Sequence, residues 1–224
     1  MKDINQIARM IDLSCVQASN TIEEIKEVAE LAIKYNCICT FALPAHTPML
    51  IDLVKDHPSV LVGGVVGFPD GGATTNGKVA EAKELMEMGV DELDMVINIT
   101  WLKAQCYDKV LADMKAVVEA AGDTPVKVIL ECHHLTNEEI VKACELGVEA
   151  GVSFVKTGTG WAPTGATYEN VSLMKQTVGD ACEVKAAGGV RDLETLLEMN
   201  KRGTTRFGIG VRTAKQIFET LESN

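Results

Sequence analysis

Eight short apolar segments alternate with segments of helical periodicity along the whole of this 224-residue chain. Successive apolar segments begin roughly 20 to 35 residues apart, which is the length of one strand–helix unit. They are continuous apolar runs and not alternating ones, as expected for parallel strands that are covered on both faces. Eight such units predict an α/β protein with a (β/α)8 TIM-barrel fold, preceded by a short N-terminal helix.

The element boundaries can be placed from the same periodicity. The predicted strands are residues 10–14, 37–43, 60–68, 92–97, 126–130, 153–155, 183–187 and 205–209. The predicted helices are residues 2–9, 22–35, 49–54, 78–88, 106–121, 137–150, 168–177, 192–199 and 214–221. Three helix ends carry specific signals, because Thr21 and Glu24 form a capping box, Gly89 is a C-terminal stop and Asp192 is an N-cap.

An open doubly wound sheet is the alternative α/β architecture. Against it, no glycine-rich dinucleotide-binding turn follows the first apolar segment. No linker rich in Pro, Ser or Gly and no low-complexity stretch interrupts the chain. We therefore expect residues 1–224 to form a single domain.

Charge and cysteine content limit the classes of partner and compartment. The net charge of −11 argues against a nucleic-acid-binding protein, which needs a basic face. Seven cysteines, an odd number, are scattered mostly within apolar runs, which is typical of reduced thiols. No run reaches the roughly 18 apolar residues of a membrane span, and the first residues lack the apolar run of a signal peptide. We expect a cytoplasmic protein that acts on a small molecule, without a membrane or nucleic-acid partner.

Charged side chains occur in or directly after strands that are otherwise apolar. They are Asp12, Asp94, Lys127, Glu131, Lys156 and Lys185. A barrel places its active site at the carboxyl ends of its strands, and charges inside a barrel need compensation. The set therefore indicates a catalytic site. A salt-bridge network that only fills the barrel is the alternative explanation.

Lys156 stands at the end of the sixth apolar segment, and small residues follow it as far as Gly160. A buried ammonium group needs a partner, or else its pKa falls, and a lysine of lowered pKa can attack a carbonyl group to form a Schiff base. Repulsion from Lys185 would lower the pKa of Lys156 further. Asp94 could then transfer protons. Alternatively, Lys156 is a strand-end lysine that reaches solvent.

Glycine-rich turns follow the seventh and eighth strands. They are Gly188-Gly189-Val190-Arg191 and Gly208-Ile209-Gly210. Loops at these two positions form the usual phosphate site of such barrels. Glycines let backbone N–H groups approach an anion, and Arg191 adds positive charge. We therefore predict an anion site, although glycine pairs also suit ordinary turns.

The segment Glu131-Cys132-His133-His134, after the fifth strand, contains residue types that ligate zinc. Neighbouring residues of an extended segment point apart, and a catalytic zinc needs three converging ligands. No HxH or HxxxH spacing occurs in the chain. We expect no metal site and no cofactor, and a metal-dependent lyase is the alternative.

Taken in order, these segments resemble the deoxyribose-phosphate aldolase family, whose members are Schiff-base (class I) aldolases with a (β/α)8 barrel. The resemblance covers nearly the whole chain. It is carried by Ile11-Asp12 and by residues 65–83 (VVGFPDGGATTNGKVAEAK), 91–99 (DELDMVINI), 126–131 (VKVILE), 154–160 (FVKTGTG), 165–167 (GAT), 184–192 (VKAAGGVRD) and 206–208 (RFG).

The resemblance implies roles for the matched residues. Lys156 matches the Schiff-base lysine, and Lys185 with Asp94 matches the pair that shuttles protons. Together with the two glycine-rich turns, the resemblance gives the expected substrate-binding residues, which are Asp12, Lys127, Thr157, Gly160, Gly188, Gly189, Arg191, Gly208 and Gly210. The resemblance also implies metal-free, reversible cleavage of 2-deoxyribose 5-phosphate to acetaldehyde and glyceraldehyde 3-phosphate, by a homodimer or homotetramer.

Several positions depart from the family pattern, mainly where the far end of the substrate would bind. The last strand of the family usually ends in two serines whose hydroxyl groups bind phosphate, and here Gly210 and Val211 occupy those positions, with Arg212 as a substitute. Further departures are at Phe41, His133, His134, Gly158 and Trp161. A Schiff-base aldolase for a different sugar and a non-catalytic sugar-phosphate-binding barrel are therefore alternatives.

Overall fold

Eight parallel strands pair in sequence order and the last pairs with the first in the computed structural model of the chain, which describes residues 3–223. The strands are β1 (Ile11–Cys15), β2 (Cys39–Ala42), β3 (Leu61–Val66), β4 (Glu92–Val96), β5 (Val126–Ile129), β6 (Phe154–Lys156), β7 (Glu183–Ala187) and β8 (Thr204–Ile209). The predicted (β/α)8 barrel is confirmed, and the alternative of an open sheet is wrong.

Helices connect the strands and surround the barrel. They are α1 (Ile4–Ala8), α2 (Ile22–Tyr35), α3 (Thr47–Val54), α4 (Thr75–Met88), α5 (Ile99–Lys103), α6 (Tyr107–Ala121), α7 (Asn137–Ala150), α8 (Tyr168–Val178), α9 (Leu193–Lys201) and α10 (Val211–Glu222). The predicted N-terminal helix is present as α1, and its predicted start at residue 2 lies outside the described residues. No helix among the described residues is long and apolar enough to cross a membrane.

Local capping signals account for most helix ends. The capping box of Thr21 and Glu24 opens α2, Gly89 ends α4 in the left-handed conformation, and the Asp192 side chain caps α9. Helix α4 begins at residue 75, a turn before the predicted residue 78, because the Thr74 side chain accepts a hydrogen bond from Gly77 N. The short helix α5 was not predicted. It begins where the Asn98 side chain caps it, and five residues are too few to display helical periodicity.

The strand register places charged residues side by side inside the barrel. Asp94 of β4 is opposite Lys127 of β5, and Lys156 of β6 is opposite Lys185 of β7. Lys185 is in turn opposite Arg206 of β8. Because alternate side chains of a strand point to opposite faces, these polar side chains share the barrel interior, and their apolar neighbours face the helices.

The main apolar core lies between the barrel and its helices. Val155 of β6 and Val184 of β7 are fully buried there against α7 and α8, in a cluster that also contains Met174. Phe207 of β8 is buried with Phe218 of α10 in a second apolar cluster. Burying each such side chain stabilises the fold by roughly 1.5–3 kcal/mol. This outer core holds the strands rigidly and allows the interior to carry charges.

Candidate active site

Asp94 is the centre of the charged interior, and three lysines contact it. Its Oδ2 accepts hydrogen bonds from Lys156 Nζ at 2.7 Å and from Lys185 Nζ at 2.6 Å. Its Oδ1 accepts from Lys127 Nζ at 3.2 Å. Asp94, Lys127 and Lys185 are fully buried, and Lys156 is 6% exposed. The two lysines of β6 and β7 therefore share one carboxylate oxygen.

A second group of ion pairs lies beside this centre. Lys185 Nζ lies 2.6 Å from Asp12 Oδ2, and Arg206 Nε donates to Asp12 Oδ1 at 2.9 Å. Glu92 Oε2 accepts from Arg206 Nη2 and from Lys127 Nζ, both at 2.6 Å. Glu92 and Arg206 are absent from the predicted set, although both stand in predicted strands. The rule that selected the other residues, a charge within an apolar strand, would have found them.

Coulombic contacts outweigh burial for most of these groups. Burial alone would raise the pKa of Asp94, but Lys127, Lys156 and Lys185 lower it well below its ordinary value, so Asp94 is ionised. Burial alone would lower the pKa of Lys127, but Asp94 and the neighbouring carboxylates raise it. Lys127 is therefore a permanent ammonium group.

Lys156 is the exception, because its pKa is lowered to about 8. Burial is the largest cause, repulsion from Lys185 adds to it, and attraction to Asp94 opposes both. Burial and repulsion from Lys185 are the two causes that the sequence predicts, and of the two burial lowers the pKa of Lys156 more. Lys156 therefore loses its proton far more easily than Lys127, whose pKa is raised.

The charge balance of the interior agrees with a neutral amine. The cations are Lys127, Lys156, Lys185 and Arg206, and the carboxylates are Asp12, Glu92 and Asp94. Within this set the cations exceed the carboxylates by one. An unpaired buried charge is costly, so the set is balanced when one amine, that of Lys156, is unprotonated.

Imine formation at Lys156 is expected to rise with pH through about 8 and to level off above it, because only the neutral amine is nucleophilic. A lysine of ordinary pKa would gain reactivity up to about pH 10.4. The measurement is the initial rate of borohydride-trapped adduct at Lys156, followed by mass spectrometry at a low concentration of a small aldehyde. A rate that still rises steeply beyond about pH 9.5 would contradict the lowered pKa.

Phe41 of β2 covers the lysine amines with its ring. The ring centroid lies 4.3 Å from Lys185 Nζ, 5.3 Å from Lys127 Nζ and 6.0 Å from Lys156 Nζ. The facing residue on β3 is Gly63, and a Cβ there would lie 2.1 Å from a ring carbon of Phe41. The ring therefore occupies the space that a larger residue on β3 would need. Cation–π attraction adds to its packing.

A Gly63→Ala variant is expected to lose about 1–3 kcal/mol of stability, because the added methyl group overlaps the Phe41 ring. Urea unfolding measures the loss. Combining it with Phe41→Leu should relieve the overlap, so the double variant should lose less than the sum of the two single changes. Strictly additive losses would show that the two side chains do not compete for this space.

A cavity of about 190 Å³ opens above the lysines at the carboxyl ends of the strands. The predicted residues that line it are Lys156, Gly160, Gly188, Gly189, Arg191, Gly208 and Gly210. Side chains of Ser14, Gln17 and Thr213 also line it, and the sequence had not singled them out. The structure thus brings Lys156 and both predicted glycine-rich turns to one pocket.

The other predicted residues lie in the buried interior and not on the pocket wall. These are Asp12, Asp94, Lys127, Thr157 and Lys185. The Thr157 hydroxyl donates to Ala187 O at 2.8 Å and accepts from Ala187 N at 2.9 Å. It therefore ties β6 to β7 below the pocket, and its contacts are those of a structural link.

Glu131 holds the loop that follows Lys156. Its carboxylate, 3% exposed, accepts hydrogen bonds from Thr159 N at 3.2 Å and from the Thr159 hydroxyl. A Cβ at Gly158 would lie 2.8 Å from Glu131 Oε1, so this loop passes too close for a side chain there. The Thr159 hydroxyl also accepts from Trp161 N at 3.0 Å. Glu131 thus braces the pocket loop, away from the lysine cluster in which the sequence had placed it.

Trp161 closes the outer side of the same loop. Its Nε1 donates to Val16 O at 2.8 Å, and its ring lies edge-on to Phe68 with the centroids 5.9 Å apart. Val16 and Phe68 both line the pocket. The half-exposed Trp161 therefore joins three loops at the mouth, and no sequence pattern specified these partners.

The histidine segment does not assemble a metal site in the described part of the chain. His133 Nδ1 lies 2.6 Å from Thr164 Oγ1, and the Glu131 carboxylate is engaged by the loop. Among residues 3–223, one group of three potential ligands lies close together, and it consists of Asp12, Cys39 and Glu92. Lysine and arginine side chains already pair with both of its carboxylates. These residues are therefore a poor fit to a metal ion.

In chemical terms this is the arrangement of a lysine-dependent aldolase: a (β/α)8 barrel in which a buried amine of lowered pKa opens on a pocket beside a carboxylate. The chain matches the DeoC/LacD family of aldolases over residues 4–220. It therefore belongs to that family.

Individual relatives agree with this assignment. The deoxyribose-phosphate aldolase of Sinorhizobium medicae is 49% identical over 208 residues, which cover 93% of this chain and 84% of the relative. That of Carboxydothermus hydrogenoformans is 46% identical over 212 residues, 93% of this chain and 92% of the relative. The solved structure of deoxyribose phosphate aldolase from Aeropyrum pernix, described as a tetramer, has a TM-score of 0.90 at 25% identity and covers 100% of this chain and 94% of that one.

Proposed function

We propose that this protein is a class I deoxyribose-phosphate aldolase, which reversibly cleaves 2-deoxy-D-ribose 5-phosphate to acetaldehyde and D-glyceraldehyde 3-phosphate. The strongest support for this proposal is the environment of Lys156. Lys156 lines the pocket, has a pKa lowered to about 8, and lies 2.7 Å from the ionised Asp94. Such an amine is ready to add to a carbonyl carbon at neutral pH.

The reaction follows from this geometry. The neutral amine of Lys156 adds to the C1 carbonyl of the open-chain sugar, and loss of water gives a protonated imine. The C2–C3 bond then breaks, its electron pair forms an enamine with the iminium carbon, and the C3 hydroxyl loses its proton as glyceraldehyde 3-phosphate departs. Protonation of the enamine at C2 and hydrolysis release acetaldehyde and restore Lys156.

Asp94 and Lys185 serve the proton transfers in this scheme. Both lie next to the Lys156 amine, because Lys185 Nζ and Lys156 Nζ donate hydrogen bonds to the same oxygen of Asp94. The low pKa of Asp94 makes it a weak base, so it orients the two amines and passes protons between them through water. Lys185 remains close enough to keep repelling a proton on Lys156.

The far end of the pocket suits the phosphate group. Arg191 contributes a positive charge, and the absence of side chains at Gly188 and Gly189 lets backbone N–H groups approach the phosphate. Gly210 is the N-cap residue of α10 and provides no side chain to cap that helix, whose N-terminus favours an anion. Val211 and Gly210 supply no hydroxyl donor here. A sugar without phosphate, or with another anionic group, is therefore the second candidate substrate.

The test is release of acetaldehyde from deoxyribose 5-phosphate, together with borohydride trapping of the acetaldehyde adduct and mass mapping to Lys156. Comparison of kcat/KM for phosphorylated and free deoxyribose separates the two substrates, since each lost donor reduces the preference by about 1–3 kcal/mol. Binding without turnover across a panel of aldehydes would instead support a non-catalytic barrel. Activity abolished by EDTA would favour a metal-dependent lyase.

The proposed working form is a cytoplasmic homo-oligomer, a dimer or a tetramer, in which residues 1–224 act as a single domain on a small-molecule substrate. Its support is the seven cysteines, all without a disulfide partner as is typical of a reducing compartment, and the tetrameric relative from Aeropyrum pernix. Light scattering of the purified protein measures the oligomeric state directly.

A further inference from the structure

Glu131 differs from the other buried carboxylates of residues 3–223 in its partners. Each of the others forms an ion pair with a lysine or arginine side chain, and they are Asp12, Glu92, Asp94 and Asp113. The Glu131 carboxylate instead accepts hydrogen bonds from the N–H group and the hydroxyl group of Thr159. Burying a carboxylate is costly, so these hydrogen bonds must compensate for the lost water. All the compensation therefore comes from one residue of the pocket loop.

The loop that Glu131 holds leaves the barrel wall directly after Lys156. The neighbouring strand fixes Lys156 itself, since its carbonyl oxygen accepts a hydrogen bond from Leu130 N at 2.8 Å. No helix or strand occurs between β6 and α8. Gly158 and Gly160 flank Thr159, and glycine restricts the backbone least of all residues. Loss of the carboxylate would therefore release the loop while the amine stays in place.

The same loop packs directly against the glycine-rich turn that follows β7. Ala166 N donates a hydrogen bond to Ala187 O at 3.1 Å. A Cβ at Gly188 would lie 3.4 Å from Gly160 Cα, and a Cβ at Gly189 would lie 2.3 Å from Ala166 O. The two backbones are in contact at these points, with no room for a side chain between them. In such a close-packed arrangement, a displaced loop displaces the turn.

We propose that Glu131 is a positioning residue, whose buried carboxylate fixes the loop after β6 and, through it, the glycine-rich turn that receives the far end of the substrate. Glu131 is not part of the pocket wall and acts through Thr159, which is. This inference rests on the proposed function, because it assumes that a substrate joined to Lys156 extends toward that turn. It gives a role to a segment whose residue types resemble those of a zinc site.

The test compares Glu131→Met with Glu131→Gln. Methionine keeps the length of the side chain but is a weak acceptor, whereas the amide oxygen of glutamine can take the place of Oε2. In Glu131→Met, kcat/KM for cleavage of deoxyribose 5-phosphate should fall by about tenfold or more, mainly through a higher KM, because misplaced binding groups hold substrate and transition state less well. Glu131→Gln should recover most of this loss.

Trapping of acetaldehyde separates this effect from a general loss of activity. Acetaldehyde has only two carbons and does not extend from Lys156 to the turn. The rate at which borohydride traps its adduct should therefore stay within about threefold of wild type in Glu131→Met. Equal falls in acetaldehyde trapping and in sugar cleavage would overturn the inference, since they would show that Glu131 supports the whole site and not its far end.

Thr159→Val breaks the same contact from the other side. It removes the hydroxyl group that donates to Glu131 and accepts from Trp161 N. Because both changes break one contact, the loss in kcat/KM of the double variant with Glu131→Met should be smaller than the product of the two single losses. Fully multiplicative losses would overturn the inference. Should Glu131→Met fail to fold, Thr159→Val with Glu131→Gln gives the same comparison.

Thr40→Val is the matched control. Thr40 is fully buried, its hydroxyl group donates to Leu61 O at 3.1 Å, and it is not part of the pocket wall. It loses one buried hydrogen bond, as Thr159→Val does, and its kcat/KM should stay within about twofold of wild type. With the fold retained by circular dichroism, the same small change in both Glu131→Met and Thr159→Val would overturn the inference. Failure of wild type to form any acetaldehyde adduct would instead overturn the proposed function.

Discussion

A Lys156→Ala variant is expected to lose at least about 10⁴-fold in kcat/KM for cleavage of deoxyribose 5-phosphate, because no other group can supply the covalent nucleophile. The neighbouring amine of Lys185 cannot substitute, since it is fully buried between two carboxylates and does not line the pocket. Borohydride trapping with acetaldehyde should add mass to the wild-type protein at Lys156 and add none to the variant.

Lys156→Arg separates the loss of the nucleophile from the loss of the ion pair. Arginine keeps a positive charge beside Asp94 but forms no imine under these conditions. Both variants should therefore be inactive, and borohydride should add no mass at position 156 in either of them. An exposed lysine such as Lys115, paired with Glu149 at 3.2 Å, is the control for non-specific adducts, and Lys115→Ala should trap normally. Equal trapping by wild type and Lys156→Ala would refute the assignment.

An Asp94→Asn variant is expected to lose both activity and stability. Removing the carboxylate takes the shared partner from three buried lysines, and breaking a buried ion pair in this way costs about 3–5 kcal/mol. Loss of the proton-transferring group should reduce kcat by about 10²–10⁴-fold. Urea unfolding and steady-state kinetics measure the two effects separately.

The stability difference should also depend on pH, with a definite sign. The pKa of Asp94 in the folded protein is well below its ordinary value, so its stabilisation is fully present above the pKa of the unfolded chain, near 4, and is lost as the pH falls toward the folded pKa. The gap between wild type and Asp94→Asn should therefore be largest near neutral pH and shrink in acid. Glu198→Gln, which removes an exposed partner of Arg202, is the control and should leave the stability nearly unchanged at every pH, because water screens an exposed ion pair. A gap that is constant with pH would contradict an ionised, low-pKa Asp94.

Much of this site could be predicted because, in a barrel, a residue's position along its strand decides where its side chain lies relative to the interior and the pocket. A charged residue within an apolar strand must point inward when its neighbours pack against helices, so Asp94, Lys156 and Lys185 could be assigned to one interior without knowing any contact. The same rule applied to Glu92 and Arg206 would have completed the interior. The glycine-rich turns after β7 and β8 could be placed at one pocket for the same reason.

The side-chain contacts of the loops between strands could not be predicted from this rule. The position of Glu131 after β5 suggests a place in the charged catalytic interior or a metal ligand, yet its carboxylate accepts hydrogen bonds from Thr159 in the loop after β6. Whether a side chain at a strand end turns into the interior or toward a loop depends on the backbone at that residue, and Glu131 has the left-handed φ of 55°. No sequence pattern predicts that a glutamate adopts the left-handed backbone conformation.

The sequence alone determined the barrel, the strand that carries the candidate nucleophile and the lysine and carboxylate expected beside it. These follow from periodicity and from the cost of burying charge, which act over a few residues at a time. Only the tertiary structure decided that burial lowers the pKa of Lys156 more than Lys185 does, and that Phe41 sits over Gly63. Those features depend on how completely separate strands exclude water and fill space together, a property of packed side chains that no short segment of the chain contains.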